Sequence, residues 1–263
     1  MNNNGSTTMS FWEHLEELRG CLLKTLIVVA ICTVVAFLCK EELFAVILAP
    51  KEEYFITYRM INNVAKLLGN VNLQDTHFHV DLINTGLAGQ FLVHMKAAFA
   101  TGVVCASPYM LFLLFKFVSP GLYPKERTYA VRAICIGYAM FIVGVLLCYF
   151  LIFPLTFRFL GTYQVENSIN NLITLDSYIS TLMTLSVAIG LVFEMPVLCW
   201  FFARIGIITA VLMRQFRRYA IVLVLIIAAV ITPTSDIFTL SLVALPMLLL
   251  YEISIVIVAH SHK

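Results

Sequence analysis

The chain has 263 residues, of which 61% are hydrophobic and only 12% charged, with a net charge of +2. Soluble domains sit near half apolar and a quarter charged, so this balance excludes an ordinary soluble fold and reads as an integral membrane protein. The charge is too small to argue for nucleic acid, and the length leaves room for about six spans of ~20 residues.

The opening "MNNNGSTTMS" is polar and lacks the basic region of a cleaved signal, so the first span is expected to stay in the protein. It leads into "SFWEHLEELRGCLLKTL". Here Ser10 and Glu13 form an S-x-x-E capping box, and Phe11, Leu15, Leu18 and Leu22 share one helical face. Glu13 and Glu17 form an i,i+4 like-charge pair, which costs an isolated helix about 0.2–0.5 kcal/mol. Glu16 has Arg19 three residues on, whereas Glu17 has no basic residue at i±3 or i±4. Two readings stay open: a solvated polar face on an interfacial helix, or a site for a cation carried by another molecule.

Six apolar segments follow at helix length: Leu22 to Leu38, Ala97 to Phe117, Ala133 to Phe157, Ile179 to Ala203, Tyr219 to Ile231 and Ile237 to Ala259. Barrel strands would be short and alternating, so these runs predict an all-α protein with one six-span membrane domain covering residues 1–263. The fifth segment is about 13 residues, roughly 20 Å against a hydrocarbon core near 30 Å. The turn "ITPTSDIF" joins it to the sixth. Prolines at 108, 154, 196 and 246 predict kinks.

Glu194, in "VFEMPVL", and Glu252, in "LLYEISI", lie within spans, where a carboxylate is costly unless protonated, paired or facing water. Each reads either as a hydrogen-bonded buried acid or, more sharply for Glu194, as the polar lining of a groove.

Lys and Arg placement sets the orientation. Arg19, Lys24, Lys125, Arg127, Arg132, Arg204, Arg214, Arg217, Arg218 and Lys263 fall on one side if the N-terminus is cytoplasmic. The other side receives its basic residues mostly in one long loop, Lys40 to Gln90. Both termini are therefore expected inside.

The seven cysteines lie mostly within or beside apolar runs, where cysteine behaves as a small hydrophobe, and no C-x-x-C occurs. G-x-S-x-G and H-E-x-x-H are absent. His94, at the edge of the second span, reads as an interfacial residue, and the terminal "AHSHK" as a weak metal motif. Neither catalysis, a cofactor nor a metal is expected.

Five motifs then stand in order: "HLEELR", "FVSPGLYPKER", "YFLIFPLTFRFL", "FEMP" and "TPTSD". Together, from about His14 to Glu252, the chain resembles the TatC family, the multispanning receptors of twin-arginine protein translocation. The resemblance implies a concave, glove-like bundle whose last two helices are short. It implies a receptor that binds twin-arginine signal peptides of folded cargo on the cytoplasmic face, within a complex driven by the proton-motive force.

By the same resemblance Glu17 and Glu126 contribute to signal-peptide binding, with Arg19, Phe117, Pro120 and Arg127 supporting them. Glu194, Pro50, Asp236 and Glu252 become intramembrane or partner-contact positions. The implied partners are small single-span TatA or TatB subunits, further copies of the chain and membrane lipid, and the implied location is the cell inner membrane. Two departures stand out. The stretch "ITYRMINNVAKLLGNVNLQDTHFHV" has no counterpart in the family pattern, and Leu240 replaces an expected polar residue.

The rival function is a proton-coupled small-molecule permease using Glu194. Such transporters usually show internal repeats or paired broken helices, and neither is visible. Orientation is open to direct test. Single cysteines near Lys125 and Arg217 should be protected from an impermeant reagent in intact cells, and one near Asp75 should react. Labelling at Lys125 from outside would reverse the topology.

Overall fold

The structure is a computed structural model describing residues 11–52, 54–67, 81–118, 124–164, 166, 171–232 and 236–261. It is helical nearly throughout. Helix α1 runs unbroken from Phe11 to Leu38. The acidic stretch and the first apolar run are therefore one element rather than an interfacial helix followed by a span. At 1.5 Å per residue it is about 42 Å long, which exceeds the ~30 Å hydrocarbon and lets its charged first turns stand outside.

Beyond it come α2 (Lys40–Leu48), a 3-10 turn (Ala49–Lys51) and α3 (Ile56–Leu67). Helix α4 (Gly89–Val118) and helix α5 (Pro124–Leu147) follow. A π-helical turn (Cys148–Ile152) carries α5 into α6 (Phe153–Thr162). Next are α7 (Leu175–Phe193), α8 (Met195–Arg204) and the short α9 (Ala210–Gln215). Helices α10 (Arg217–Ile231) and α11 (Ile237–Ser261) complete the chain.

Among the described residues, five stretches are long and apolar enough to cross a membrane: Leu15–Leu38, Gly89–Leu114, Val131–Thr162, Leu175–Arg204 and Ile237–Ser261. The remaining expected segment forms α10, whose 15 residues reach only about 22 Å. The prolines occupy two kinds of position. Pro108 and Pro246 sit inside unbroken helices. Pro154 instead follows the π-helical turn, and Pro196 opens α8 where α7 ends.

Helix α7 is the centre, burying Tyr178, Ile179, Leu182, Leu185, Ile189 and Phe193. Helix α1 is its opposite: none of its described residues is buried, and it lies along α4. That contact is close because Gly102 has no side chain. A Cβ there would stand 2.8 Å from the Thr33 backbone nitrogen. Small residues permit such approach where lipid removes any hydrophobic drive between helices. At the far end of α8, Gly206 adopts φ 80°. The N–H of Ile207 bonds the Phe202 carbonyl at 2.9 Å and that of Gly206 the Ala203 carbonyl at 3.1 Å, a Schellman closure.

Strand β1 (Leu82–Ile83) pairs in parallel with β2 (Ile173–Thr174), Leu82 opposite Ile173. This small departure from an all-helical chain ties the α3–α4 connection to the α6–α7 connection, so both lie at one end of the bundle. Tyrosine hydroxyls fasten the same end. Pro50 and Pro154 cannot donate, leaving the carbonyls of Val46 and Phe150 without their i+4 partners. Tyr149 Oη donates to Val46 O at 2.6 Å, and Thr57 Oγ1 donates to Phe150 O. Tyr178 Oη donates to Ile47 O at 3.0 Å. The hydroxyl of Tyr58 lies 3.1 Å from both Pro50 O and Pro154 O, and burial holds its phenol above its ordinary pKa, against a smaller lowering by Arg158.

Removing the Tyr58 hydroxyl takes a buried donor away from the Pro50 and Pro154 carbonyls. Tyr58→Phe should cost about 1–2 kcal/mol, lowering the detergent-solubilised Tm by about 2–4 °C per kcal/mol. An unchanged Tm would show that the cap does not rely on this bond.

Candidate functional site

A concave apolar groove of about 340 Å³ opens between α1, α4, α5 and α7. Leu18 and Leu22 of α1 and Phe117 near the end of α4 line it toward Glu17; Phe141, Leu191 and Glu194 line it within the bundle. The one hydroxyl on the α4 wall with a described bond, Ser107, donates to its own helix at Val104 O, 2.7 Å away. Glu194 is the sole carboxylate among the described lining residues.

Local sequence explains why a glutamate stands there. Pro196 supplies no N–H to Val192, so the helix opens at Glu194, whose N–H turns to Leu191 O at 3.1 Å. The chain resumes as α8 from Met195, and Leu198 N–H bonds Glu194 O at 2.9 Å. Glu194 remains only 6% exposed. Its carboxylate fits against α5 at Gly137, where a Cβ would lie 2.7 Å from Oε2. Its other oxygen, Oε1, is covered and has no hydrogen-bond partner among the described residues. A buried unmatched acceptor is costly, so this one favours a donor supplied from the groove.

Glu17 sits beside the groove-lining Leu18, half-buried, with Oε2 covered and unpartnered among the described residues. Arg19 is exposed. Phe117 is half-buried and in the wall. Pro120 lies outside the described residues; Glu126 and Arg127 fall in the first turn of α5, and their side chains lie outside the description.

The remaining sequence candidates stand apart from the groove. Glu252 pairs with Arg217 at 2.8 Å, both side chains half-exposed. Asp236 Oδ1 accepts from Thr239 N–H at 2.6 Å and caps α11. Pro50 is buried in the tyrosine-fastened end. Sequence reasoning missed Gly137 and the α4 wall: a glycine inside an apolar run carries no mark of the side chain it faces across a helix pair.

The sequence profile of the Sec-independent protein translocase protein (TatC) family matches residues 13–246. A relative of that name from Blattabacterium sp. subsp. Periplaneta americana is 32% identical over 257 residues, covering 97% of this chain and 96% of the relative. The Sec-independent protein translocase protein TatCy of Bacillus subtilis is 35% identical over 251 residues, covering 95% and 88%. A crystal structure titled as the twin arginine translocase receptor TatC superposes with TM-score 0.76 at 30% identity, covering 95% of this chain and 100% of that one.

The notch between Gly137 and Glu194 can be tested by stability. Gly137→Ala should cost about 1 kcal/mol through overpacking, and far less in a Glu194→Ala background, where the opposing oxygens are gone. Equal penalties in both backgrounds would mean that the carboxylate does not fill the notch.

Proposed function

The chain belongs to the TatC family of Sec-independent protein translocase proteins, and from that premise we propose that it is the receptor of a twin-arginine translocase. It binds the signal peptides of folded cargo at the Glu17 end of the groove and nucleates assembly of the complex. The observation that carries this reading is the placement of Glu17, with one oxygen unpartnered among the described residues, beside an apolar groove that continues to Glu194. A twin-arginine signal has matching chemistry, guanidinium groups followed by an apolar segment. Guanidinium suits a carboxylate because its planar fork gives two parallel hydrogen bonds, which a lysine ammonium does not reproduce.

On this proposal the Glu17 end is cytoplasmic, both termini are inside, and the membrane is the inner membrane of the cell. Glu126, in the first turn of α5, is the second carboxylate of the clamp, with Arg19, Phe117, Pro120 and Arg127 shaping its surroundings. Small single-span subunits of TatA or TatB type and further copies of the chain assemble around it. Glu194 serves the groove and these contacts, and the role is transport rather than catalysis.

A charge-assisted hydrogen bond contributes about 1.5–3 kcal/mol, reduced toward 1 kcal/mol or less where water screens the pair. Signal affinity should therefore be modest and salt-sensitive, with the apolar segment adding to it. Crosslinking a twin-arginine peptide to the full chain at low and high salt tests this. Glu17→Gln and Glu126→Gln should each weaken crosslinking, the double variant should lose little beyond the weaker single, and a twin-lysine peptide should bind poorly. Undiminished crosslinking in the double variant would reduce both carboxylates to a solvated face.

A further inference from the structure

At the opposite end of the bundle, a second pocket of about 550 Å³ is lined by Lys40, Phe44, Gln90, Phe91, His94 and Leu175 among others. His94 is only 8% exposed, yet its Nε2 is covered and has no hydrogen-bond partner among the described residues. Its ring is fixed by stacking on Phe37, centroids 4.0 Å apart and planes 10° apart, and by an edge contact with Phe44 at 5.5 Å. A histidine held this firmly, with one nitrogen unanswered, is an oriented polar group facing a pocket rather than an adaptable surface residue.

The other polar groups agree in sign. Lys40, at the start of α2, is the one charged residue among those lining the pocket. Glu41 and Glu42 follow it but are exposed and do not line the pocket. Asp176, next to the lining Leu175, is engaged by Lys96 at 2.6 Å. The pocket therefore presents an ammonium, an amide and an imidazole to whatever enters. Phe44 and Phe91 make its floor aromatic, and Phe37 supports Phe91 edge to face at 6.3 Å.

Depth fixes the ligand class. Leu38 ends one membrane-crossing stretch and Gly89 begins another, so Lys40, Gln90 and His94 lie where hydrocarbon gives way to headgroups. Donors above an aromatic floor at that depth match a phosphate joined to acyl chains. We propose that this pocket binds a phospholipid, its phosphate held by Lys40, Gln90 and His94 and its chains lying against Phe44 and Phe91. The site rests only on the chain spanning a membrane; that the leaflet is the outer one rests on the orientation proposed above. Cysteine labelling tests that orientation separately.

The experiment is native mass spectrometry of the full chain in detergent, titrated with dioleoylphosphatidylglycerol. One lipid should be retained more tightly than the rest. His94→Phe keeps the aromatic stack and removes the nitrogens, and Lys40→Gln removes the charge; each should weaken retention of that lipid about fivefold to tenfold. Lys116→Gln, at the far end of α4, should leave it unchanged. Should His94→Phe fail to fold, the exposed Lys40 carries the test. Equal retention by wild type and both variants would overturn the proposal. So would equal retention of dioleoylglycerol, which has no phosphate, or full displacement by inorganic phosphate alone, which would make this a free-anion site.

Discussion

In a bilayer no water waits to take up a backbone carbonyl that its own helix cannot satisfy, and that constraint organises this protein. Each proline in a helix withholds a donor from the carbonyl four residues earlier. Phe150 O accepts from Thr57, and Val46 O, which its own helix reaches only through the tighter Ala49 N–H, accepts also from Tyr149, both side chains from other elements. Tyr58 and Tyr178 extend the pattern to Pro50, Pro154 and Ile47. The cost of breaking these helices thereby becomes the means of joining them: α2 and α3 are fastened to the π-helical turn, α6 and α7 through the carbonyls that prolines release or that lie beside them.

The groove follows from the same constraint applied at the opposite face of the bundle. Pro196 opens the helix between α7 and α8, and the residue at the opening is a glutamate that Gly137 leaves space to receive. The groove persists because α1 touches mainly α4 and buries none of its described residues. A helix held on one side leaves its other sides to lipid or to partners. Close contact through Gly102 fixes α1 to α4 without drawing it over α5 and α7, so the space beside Glu194 stays open.

Much of this was readable from local pattern. Unbroken apolar runs announced the helices, the brevity of the stretch before "TPTSD" announced α10, and Pro196 marked the break between α7 and α8. What escaped is long-range. Nothing near Tyr149 in sequence points to Val46, and nothing at Gly137 points to Glu194. Such pairings are decided by helix packing, which a periodicity of 3.6 residues does not encode. The helices continue through Pro108 and Pro246, since other groups in a packed bundle can take up the carbonyl a proline frees. The two β residues pairs were invisible as well, since two-residue strands carry no alternation.

Sorting the acidic and polar groups by how they are answered separates structure from function. Glu252 is met by Arg217, Asp236 by the N–H of Thr239, and Asp176 by Lys96. The first two matter for α10, which at about 22 Å brings Arg217 and Asp236 closer together than the hydrocarbon is thick. Their internal partners let such groups sit near lipid without an external ligand. Glu17, Glu194 and His94 each keep a covered atom with no partner among the described residues, as do the hydroxyls of Thr33, Thr156, Thr239 and Ser261. Glu194 and His94 line two separate pockets, and Glu17 adjoins the first through Leu18. Leaving Glu17, Glu194 and His94 open in this way gains the chain nothing in stability. In the proposed function and the proposed lipid site, their unmatched atoms are the positions that another molecule completes, a guanidinium at one end and a phosphate at the other.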